Sequence, residues 1–235
     1  MNWKTCFLPL LLAAAVLGSV TAFADGEPVT PETTEPTEIT SEETAGTWNG
    51  DTYTDNQGIV YQLNGNSITV TGTSTNFSGG AITIPATIEK GGISYPVTSI
   101  GDRAFYCCTE LENVTFSGNV GSIGDSAFWD CDGLKTVTFS GNVGSIGREA
   151  FYNCRHLNTV TFSGKVDSIR SYAFNDCDAL KSVTFSGDVG SIGTGAFENC
   201  NALESVTFSG DVGSIGLGAF ENCNALESVT FSGDV

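Results

Sequence analysis

The sequence predicts an α/β solenoid, a fold in which short units of one strand and one helical turn stack along an axis. Three observations lead to this prediction. From Ser99 onward the sequence repeats every 23 residues, and each copy places apolar residues at the same positions. The 29 glycines, with a charged fraction of only 15%, indicate many short elements and turns. The copies begin at Ser99, Ser122, Ser145, Ser168, Ser191 and Ser214.

Each unit divides into two parts by the spacing of its apolar residues. In the second copy, the apolar residues between Ala127 and Leu134 suit one face of a short helix or 3₁₀ turn. Val137 and Phe139 alternate with threonines, as in a strand that buries one face. Because so small a unit cannot cover its own apolar face, stacked copies must share a core. We expect a parallel β-sheet on the concave side and short helical turns on the convex side.

The first 47 residues predict export rather than a folded domain. Lys4, the apolar run that follows it and the Ala22-Phe23-Ala24 pattern are typical of a signal peptide over residues 1–24. Residues 25–47 contain seven carboxylates, seven threonines and three prolines but no basic residue. Such a segment cannot bury a core, so we predict a disordered acidic linker. The mature chain is expected to be secreted, with no membrane insertion.

The remaining chain divides into a cap and the solenoid. Residues 48–81 predict an N-terminal β-rich cap, in which runs at 59–63 and 67–71 flank Asn64-Gly65-Asn66, a hairpin signal. Residues 82–235 predict the solenoid, a degenerate first rung at Ile82-Thr83-Ile84 followed by six repeats. Val235 stops one residue short of closing a unit, without a polar terminal cap. We therefore expect truncation at the C-terminus.

The repeat resembles the BspA-type, or Treponema-type, bacterial leucine-rich repeat. It departs from that pattern at Ser140-Gly141, where the family often has Leu-Pro, and this affects only a turn. The resemblance implies an extracellular bacterial protein that acts at the cell surface, often as an adhesin, and it implies no enzymatic activity. The matching residues of one unit are Cys131, Leu134, Val137, Phe139, Val143, Ile146, Gly147, Ala150, Phe151 and Cys154.

The net charge and the absence of known catalytic motifs limit the classes of function that the sequence supports. The formal charge of -18 is the wrong sign for a phosphate backbone or an anionic membrane surface, which argues against nucleic-acid binding. The single histidine, His156, falls on a loop position, and none of the common nucleotide-binding, hydrolase or metalloprotease motifs occurs. We predict no enzyme, no catalytic residue and no cofactor.

One cysteine per copy predicts a column of thiols inside the stack. Packing as small hydrophobic side chains is the favoured interpretation. Disulfides between neighbouring rungs and a zinc site are two alternatives, although a ladder diverges from any single metal centre. Cys107 stands outside this column at a position otherwise held by Asp and Asn, which predicts a surface thiol, either idle or paired with another molecule. The column is Cys108, Cys131, Cys154, Cys177, Cys200 and Cys223.

Two surfaces are candidates for ligand binding. The outward strand positions are nearly all hydroxylated, and regular rows of short donors and acceptors suit a repetitive polar ligand. An aromatic contact patch of Tyr106, Trp129 and Tyr152 recurs on three successive rungs. A turn column of Asp188, Asp211 and Asp234 could recruit calcium, or be a solvated turn. The candidate ligand-binding face is Thr115, Thr136, Thr138, Thr159, Thr161, Thr184 and Thr207.

The sequence therefore predicts a secreted or cell-surface bacterial protein that binds an extracellular protein or glycan, in adhesion to host or neighbouring cells. Two alternatives stay open. One is a non-catalytic accessory module of a longer exported enzyme. The other is an architectural component of the cell surface.

Overall fold

The computed structural model describes residues 46–235 of the 235-residue chain. The predicted signal peptide lies outside these residues, and so does the predicted linker except for Gly46 and Thr47. Every regular element between Gly46 and Val235 is a β-strand. No helix in this range is long and apolar enough to cross a membrane.

The strands are β1 Thr47–Asn49, β2 Thr52–Thr54, β3 Ile59–Asn64, β4 Ser67–Thr73, β5 Gly80–Ile84, β6 Thr87–Lys90, β7 Ile93–Ile100, β8 Leu111–Phe116, β9 Val120–Ile123, β10 Thr136–Phe139, β11 Val143–Ile146, β12 Thr159–Phe162, β13 Val166–Ile169, β14 Ser182–Phe185, β15 Val189–Ile192, β16 Ser205–Phe208 and β17 Ser228–Phe231. From β8 onward they follow the 23-residue period, with two strands in each of four consecutive units.

Two sheets run along the solenoid. The threonine sheet has the order β17-β16-β14-β12-β10-β8-β5 and is parallel throughout. The serine sheet has the order β1-β2-β3-β4-β7-β9-β11-β13-β15, with β6 attached to β7. Thr136 pairs with Asn113 on one side and with Thr159 on the other, so equivalent residues of successive copies lie side by side. This register aligns each residue type into a column along the axis.

Stacked phenylalanines form the centre of the core. Phe139 is fully buried, and its ring lies parallel to those of Phe116 and Phe162, with centroids 4.7 and 4.9 Å away. A second column, of which Phe128 and Phe151 are members, stacks in the same way at 4.8 Å. Burial of these rings on every rung supplies the apolar area that holds the units together.

The prediction of helical turns, and with it the α/β class, is wrong. Between Ser126 and Asp130 the alternate backbone N–H groups donate to the next rung, as from Phe128 to the Ala150 carbonyl at 2.7 Å. Ser126 and Asp130 have φ angles of 56° and 58°, outside the helical range. An α-helix would need each N–H to bond within its own segment. We call this connection between the two sheets the turn segment.

The serine strands were not predicted. The sequence suggests only a turn after Phe139, yet β11 pairs in parallel with β9 and β13. Val143 and Ile146 are buried, whereas the two residues between them are half-buried. Apolar residues three positions apart do not show the alternation by which a half-buried strand is recognised.

Antiparallel strands and a modified rung precede the regular repeats. β3 and β4 form a hairpin in which Asn64 pairs with Ser67, and β4 then pairs in parallel with β7. β5 pairs in parallel with β8, so that Ile82 and Thr83 lie beside Val114 and Thr115. Residues 82–84 therefore occupy the same register as the strands of the later copies.

The corners after the threonine strands are held by polar side chains. The Asn142 side-chain oxygen accepts from the Lys165 backbone N–H at 3.0 Å, and the Asn142 N–H donates to Asn119 Oδ1 at 2.8 Å. Asp188 accepts from the Asp211 N–H in the same way, at 3.1 Å. These corners therefore bind the backbone of the next rung, whereas the equivalent Lys165 side chain bonds Asp167 instead.

Replacing Phe162 with alanine should strongly destabilise the solenoid. The substitution opens a cavity between two stacked neighbours, which typically lowers the free energy of unfolding by about 3–5 kcal/mol. Denaturant titration followed by circular dichroism measures the change. Ser163→Ala, at the exposed neighbouring position, is the control and should stay within about 0.5 kcal/mol of the unsubstituted chain. Equal stability of the two variants would contradict the stacked core.

Asn142→Ala should lower the free energy of unfolding by about 1 kcal/mol, because one hydrogen bond to the next rung is lost. Asn142→Asp keeps the accepting oxygen and copies the residue at Asp188, so it should cost less than Asn142→Ala. Thermal unfolding of the two variants in parallel tests this order. A reversed order would show that the side-chain oxygen does not support the corner.

Candidate ligand-binding surfaces

The threonine sheet carries the predicted ligand face on its outer side. Inward valines and phenylalanines alternate with outward threonines and serines on every strand, as at Thr136 to Phe139. The rungs are 4.7–5.0 Å apart, as measured between stacked strand phenylalanines. Thr159 and Thr184 are exposed and the other predicted threonines are half-buried.

Hydrogen bonding separates these threonines into two groups. Thr136 Oγ1 donates to Asn113 Oδ1 at 2.6 Å, and Thr159 Oγ1 donates to Asn158 Oδ1 at 3.0 Å. The other predicted threonines form one central column, and within residues 46–235 their hydroxyls bond to no other protein group. These hydroxyls are free to bind a ligand or water. They belong to Thr115, Thr138, Thr161, Thr184 and Thr207.

A shallow depression beside this sheet contains the histidine. His156 Nδ1 lies 2.7 Å from the Asp132 carbonyl oxygen, and the ring is largely exposed. The depression also contains Glu110, Glu112 and Lys135, and the last two form an ion pair at 3.1 Å. Within the described chain, no group of three or more His, Cys, Asp or Glu side chains is placed to hold a metal ion.

The predicted aromatic patch forms a stack on the turn segment. The Trp129 ring lies 4.3 Å from that of Tyr152 and 6.2 Å from that of Tyr106, nearly parallel to both. Burial and the neighbouring Asp176 raise the pKa of Tyr152 to about 12. Because the faces of the rings cover one another, the patch presents mainly ring edges to a partner.

The repeated cysteines form a column along the core without disulfide bonds between them. Cys131, Cys154, Cys177 and Cys200 are fully buried, and Cys108 and Cys223 are half-buried. Each thiol after the first donates to the backbone carbonyl of a turn-segment phenylalanine, as Cys154 does to Phe128 at 3.2 Å. That carbonyl also accepts the Cys131 N–H, so the thiol occupies its second lone pair. Sequence reasoning predicted the burial but missed the donor role.

Cys107 lies in a column that requires an unusual backbone. Its φ is 56°, and the equivalent Asp130 and Asn153 have φ angles of 58° and 60°. Asn and Asp adopt this left-handed conformation more readily than other side chains, which explains why they recur there. Cys107 is half-buried, and its sulfur lies 3.8 Å from Asp130 Oδ2.

The aspartate turn column is a row of corner supports. Asp188 and Asp211 each accept a backbone N–H from the following rung, and Asp234 donates its own N–H to Asp211 Oδ1 at 2.8 Å. One oxygen of each accepting carboxylate is thus engaged by the protein itself. This structural task accounts for the column without a ligand.

A polar groove on the turn segment was missed by sequence reasoning. Tyr172 and Asn175 line it, together with Tyr152 and Glu198. The available signal was a departure from the repeat, because the column of Tyr106, Trp129 and Tyr152 continues with a short Asn175. Sequence reasoning treated that change as the end of the patch and not as the floor of a groove.

Comparison with known proteins supports the repeat pattern independently. Residues 98–227 match the family model described as "BspA type Leucine rich repeat region", in six copies. The chain belongs to this family. The predicted resemblance is thereby confirmed. A comparison with curated proteins finds no match.

Two solved structures of leucine-rich repeat proteins are similar to this chain. A leucine-rich cell-surface protein from Faecalibacterium prausnitzii A2-165 is 28% identical, with a TM-score of 0.52 over 82% of this chain. This chain spans only 56% of that protein's length. The T. pallidum leucine-rich repeat protein TpLRR is 25% identical, with a TM-score of 0.45 over 74% of this chain and 91% of that one.

The core thiols should resist alkylation in the folded chain. Burial raises the pKa of the Cys154 and Cys177 thiols, which disfavours the reactive thiolate. At about pH 9, above the usual thiol pKa of about 8.5, iodoacetamide should leave both unmodified. Both should react after unfolding in guanidinium chloride. Mass spectrometry of the alkylated peptides checks this, and rapid native labelling of Cys154 would contradict the buried column.

Proposed function

We propose that this chain is the binding module of a bacterial cell-surface protein and holds an extracellular protein or glycan on the threonine sheet. The observation that supports this proposal most directly is the central row of threonine hydroxyls, from Thr115 to Thr207. These hydroxyls bond to no other group in residues 46–235. Regular neighbouring strands hold this row in place. The array therefore offers donors and acceptors without reorganising the fold.

Adhesion to host or neighbouring cells is the role that we assign to this binding. Residues 1–24 would direct export, and the family and the F. prausnitzii relative support a position at the cell surface. Many weak contacts along a repetitive ligand add up, so an extended surface of this kind needs no deep pocket. The acidic charge of -18 favours neutral or basic ligands over anionic ones.

The proposal includes no catalytic step. The core thiols are buried, with raised pKa values, and so are poor nucleophiles. His156 directs Nδ1 at the Asp132 backbone carbonyl, which favours a surface loop contact over a nucleophile–base pair. Binding is thus the activity that the arrangement supports best.

Removing the central hydroxyls should weaken binding while preserving the fold. The combined change Thr138→Val, Thr161→Val and Thr184→Val keeps the branched shape and removes only the hydroxyls. We expect at least a tenfold loss of affinity, about 1.4 kcal/mol, for any ligand found by screening extracellular-matrix proteins and glycan arrays. Surface plasmon resonance on the purified chain measures the loss.

Matched changes on the other sheet provide the control. Ser145→Ala, Ser168→Ala and Ser191→Ala remove three hydroxyls from the serine sheet and should leave binding unchanged. Replacing the same three threonines with lysine should also block binding, because each lysine adds bulk and a positive charge. A ligand that binds all the variants equally would place its site elsewhere. Self-association of the purified chain without any ligand would instead favour an architectural role.

A further inference from the structure

One groove on the turn segment departs from the regular repeat. We call it the tyrosine groove, and its volume is about 350 Å³. It lies within the turn segments of three successive rungs and includes no residue of the threonine strands. The residues that form it are Glu149, Tyr152, Tyr172, Asn175, Asp176, Glu198 and Asn199.

Substitutions at single positions of the repeat create this groove. Asn175 follows Tyr152 in its column and is much shorter than an aromatic residue. The surface is therefore recessed at this position. Gly195 allows the Tyr172 ring to lie close, because a Cβ at Gly195 would come within 2.5 Å of Tyr172 Cε1. Neither feature is present one rung earlier, where the equivalent residues are Tyr152 and Tyr172 themselves.

The floor of the groove is a buried amide that lacks a protein partner. Asn175 is only 5% exposed, and it is the one polar residue classed as buried between Gly46 and Val235. Its side chain makes no hydrogen bond to any residue in that range. No fully buried side-chain N or O atom among the described residues lacks a hydrogen-bond partner, so the Asn175 amide atoms reach the open side of the groove, where a ligand can bond to them.

The walls of the groove favour a cation. Glu149, Asp176 and Glu198 contribute carboxylates, and Glu149 forms an ion pair with Arg148 Nε at 3.0 Å. Asp176 accepts from the Asn199 side chain at 2.9 Å and from the Tyr152 hydroxyl, so the protein already engages this carboxylate. The Glu198 carboxylate forms no hydrogen bond or ion pair with another described residue. A cationic donor could therefore bind the Glu198 carboxylate and the Asn175 oxygen together, beside the negative charge of Asp176.

We propose that the tyrosine groove binds the guanidinium group of an arginine on a protein partner. A guanidinium is planar and can lie against the rings of Tyr152 and Tyr172 while its several N–H groups reach the Glu198 carboxylate and the Asn175 amide oxygen. A lysine ammonium is compact and strongly hydrated and matches this arrangement less well. The neighbouring Trp129 edge would contact an apolar residue next to that arginine. This site goes beyond the binding proposed for the threonine sheet and uses none of its residues.

Titration of the full 235-residue chain with small blocked peptides tests the proposal. The probes are acetyl-Phe-Arg-amide, the same dipeptide with citrulline or lysine in place of arginine, and free arginine. We expect a saturable shift of the Asn175 side-chain amide signals in ¹H–¹⁵N NMR with the arginine dipeptide. Citrulline has the same shape without the charge and should not bind, and the lysine dipeptide should bind about tenfold more weakly.

Two variants and one control assign the effect to the groove. Glu198→Gln and Asn175→Ala should each weaken binding of the arginine dipeptide about tenfold. Glu112→Gln makes the same change in net charge at a distant site and should leave affinity within about twofold, because salt screens remote charges. Circular dichroism and the Tm establish that each variant is folded.

Three results would overturn the proposal. They are an absence of any saturable shift at Asn175, equal binding of the citrulline or lysine dipeptide, and equal weakening by Glu112→Gln. Tighter binding of free arginine than of the dipeptide would also refute a protein partner, because it would identify a small-molecule site. None of these results would affect binding on the threonine sheet, which the threonine variants test separately.

Discussion

The register between successive rungs is the constraint on which the rest of this structure depends. Val137 lies directly beside Val114 and Val160. The remaining residues of these paired strands also lie beside their equivalents in the neighbouring copies. Residues of the same type therefore pack against one another. Aromatic rings stack on aromatic rings, and each thiol contacts the equivalent phenylalanine carbonyl of its neighbouring rung. A shift of one residue would turn the core residues of a strand toward solvent.

This register also determines which surfaces can acquire function. Outward positions are copied along with inward ones, so a threonine that suits one strand becomes a row of threonines. A specific site must instead arise where one copy differs from its neighbours. The tyrosine groove is such a place, because Tyr172, Asn175 and Gly195 each differ from the residue 23 positions earlier.

The sequence alone predicts the strands and the core of the solenoid better than its turns. Alternation reveals Val137 and Phe139 as the buried side of a strand, and the structure confirms both as buried. The spacing of Phe128, Cys131 and Leu134 resembles a helix, but the Phe128 N–H donates to the Ala150 carbonyl of the next rung instead of within its own segment. A local pattern cannot show which hydrogen bonds are made between copies. The recurring Asp130 and Asn153, which tolerate positive φ, were the available clue.

The corner side chains have a consequence for how such a chain can change length. Asn142 and Asp188 accept from the backbone of the next unit, and every non-proline residue provides that N–H group whatever its side chain. One unit can therefore follow another without a matched partner, and in-frame duplication of a gene segment would yield a folded product. Residues 191–212 and 214–235 differ only at Thr194 and Leu217, as expected of a recent copying event that has had little time to diverge.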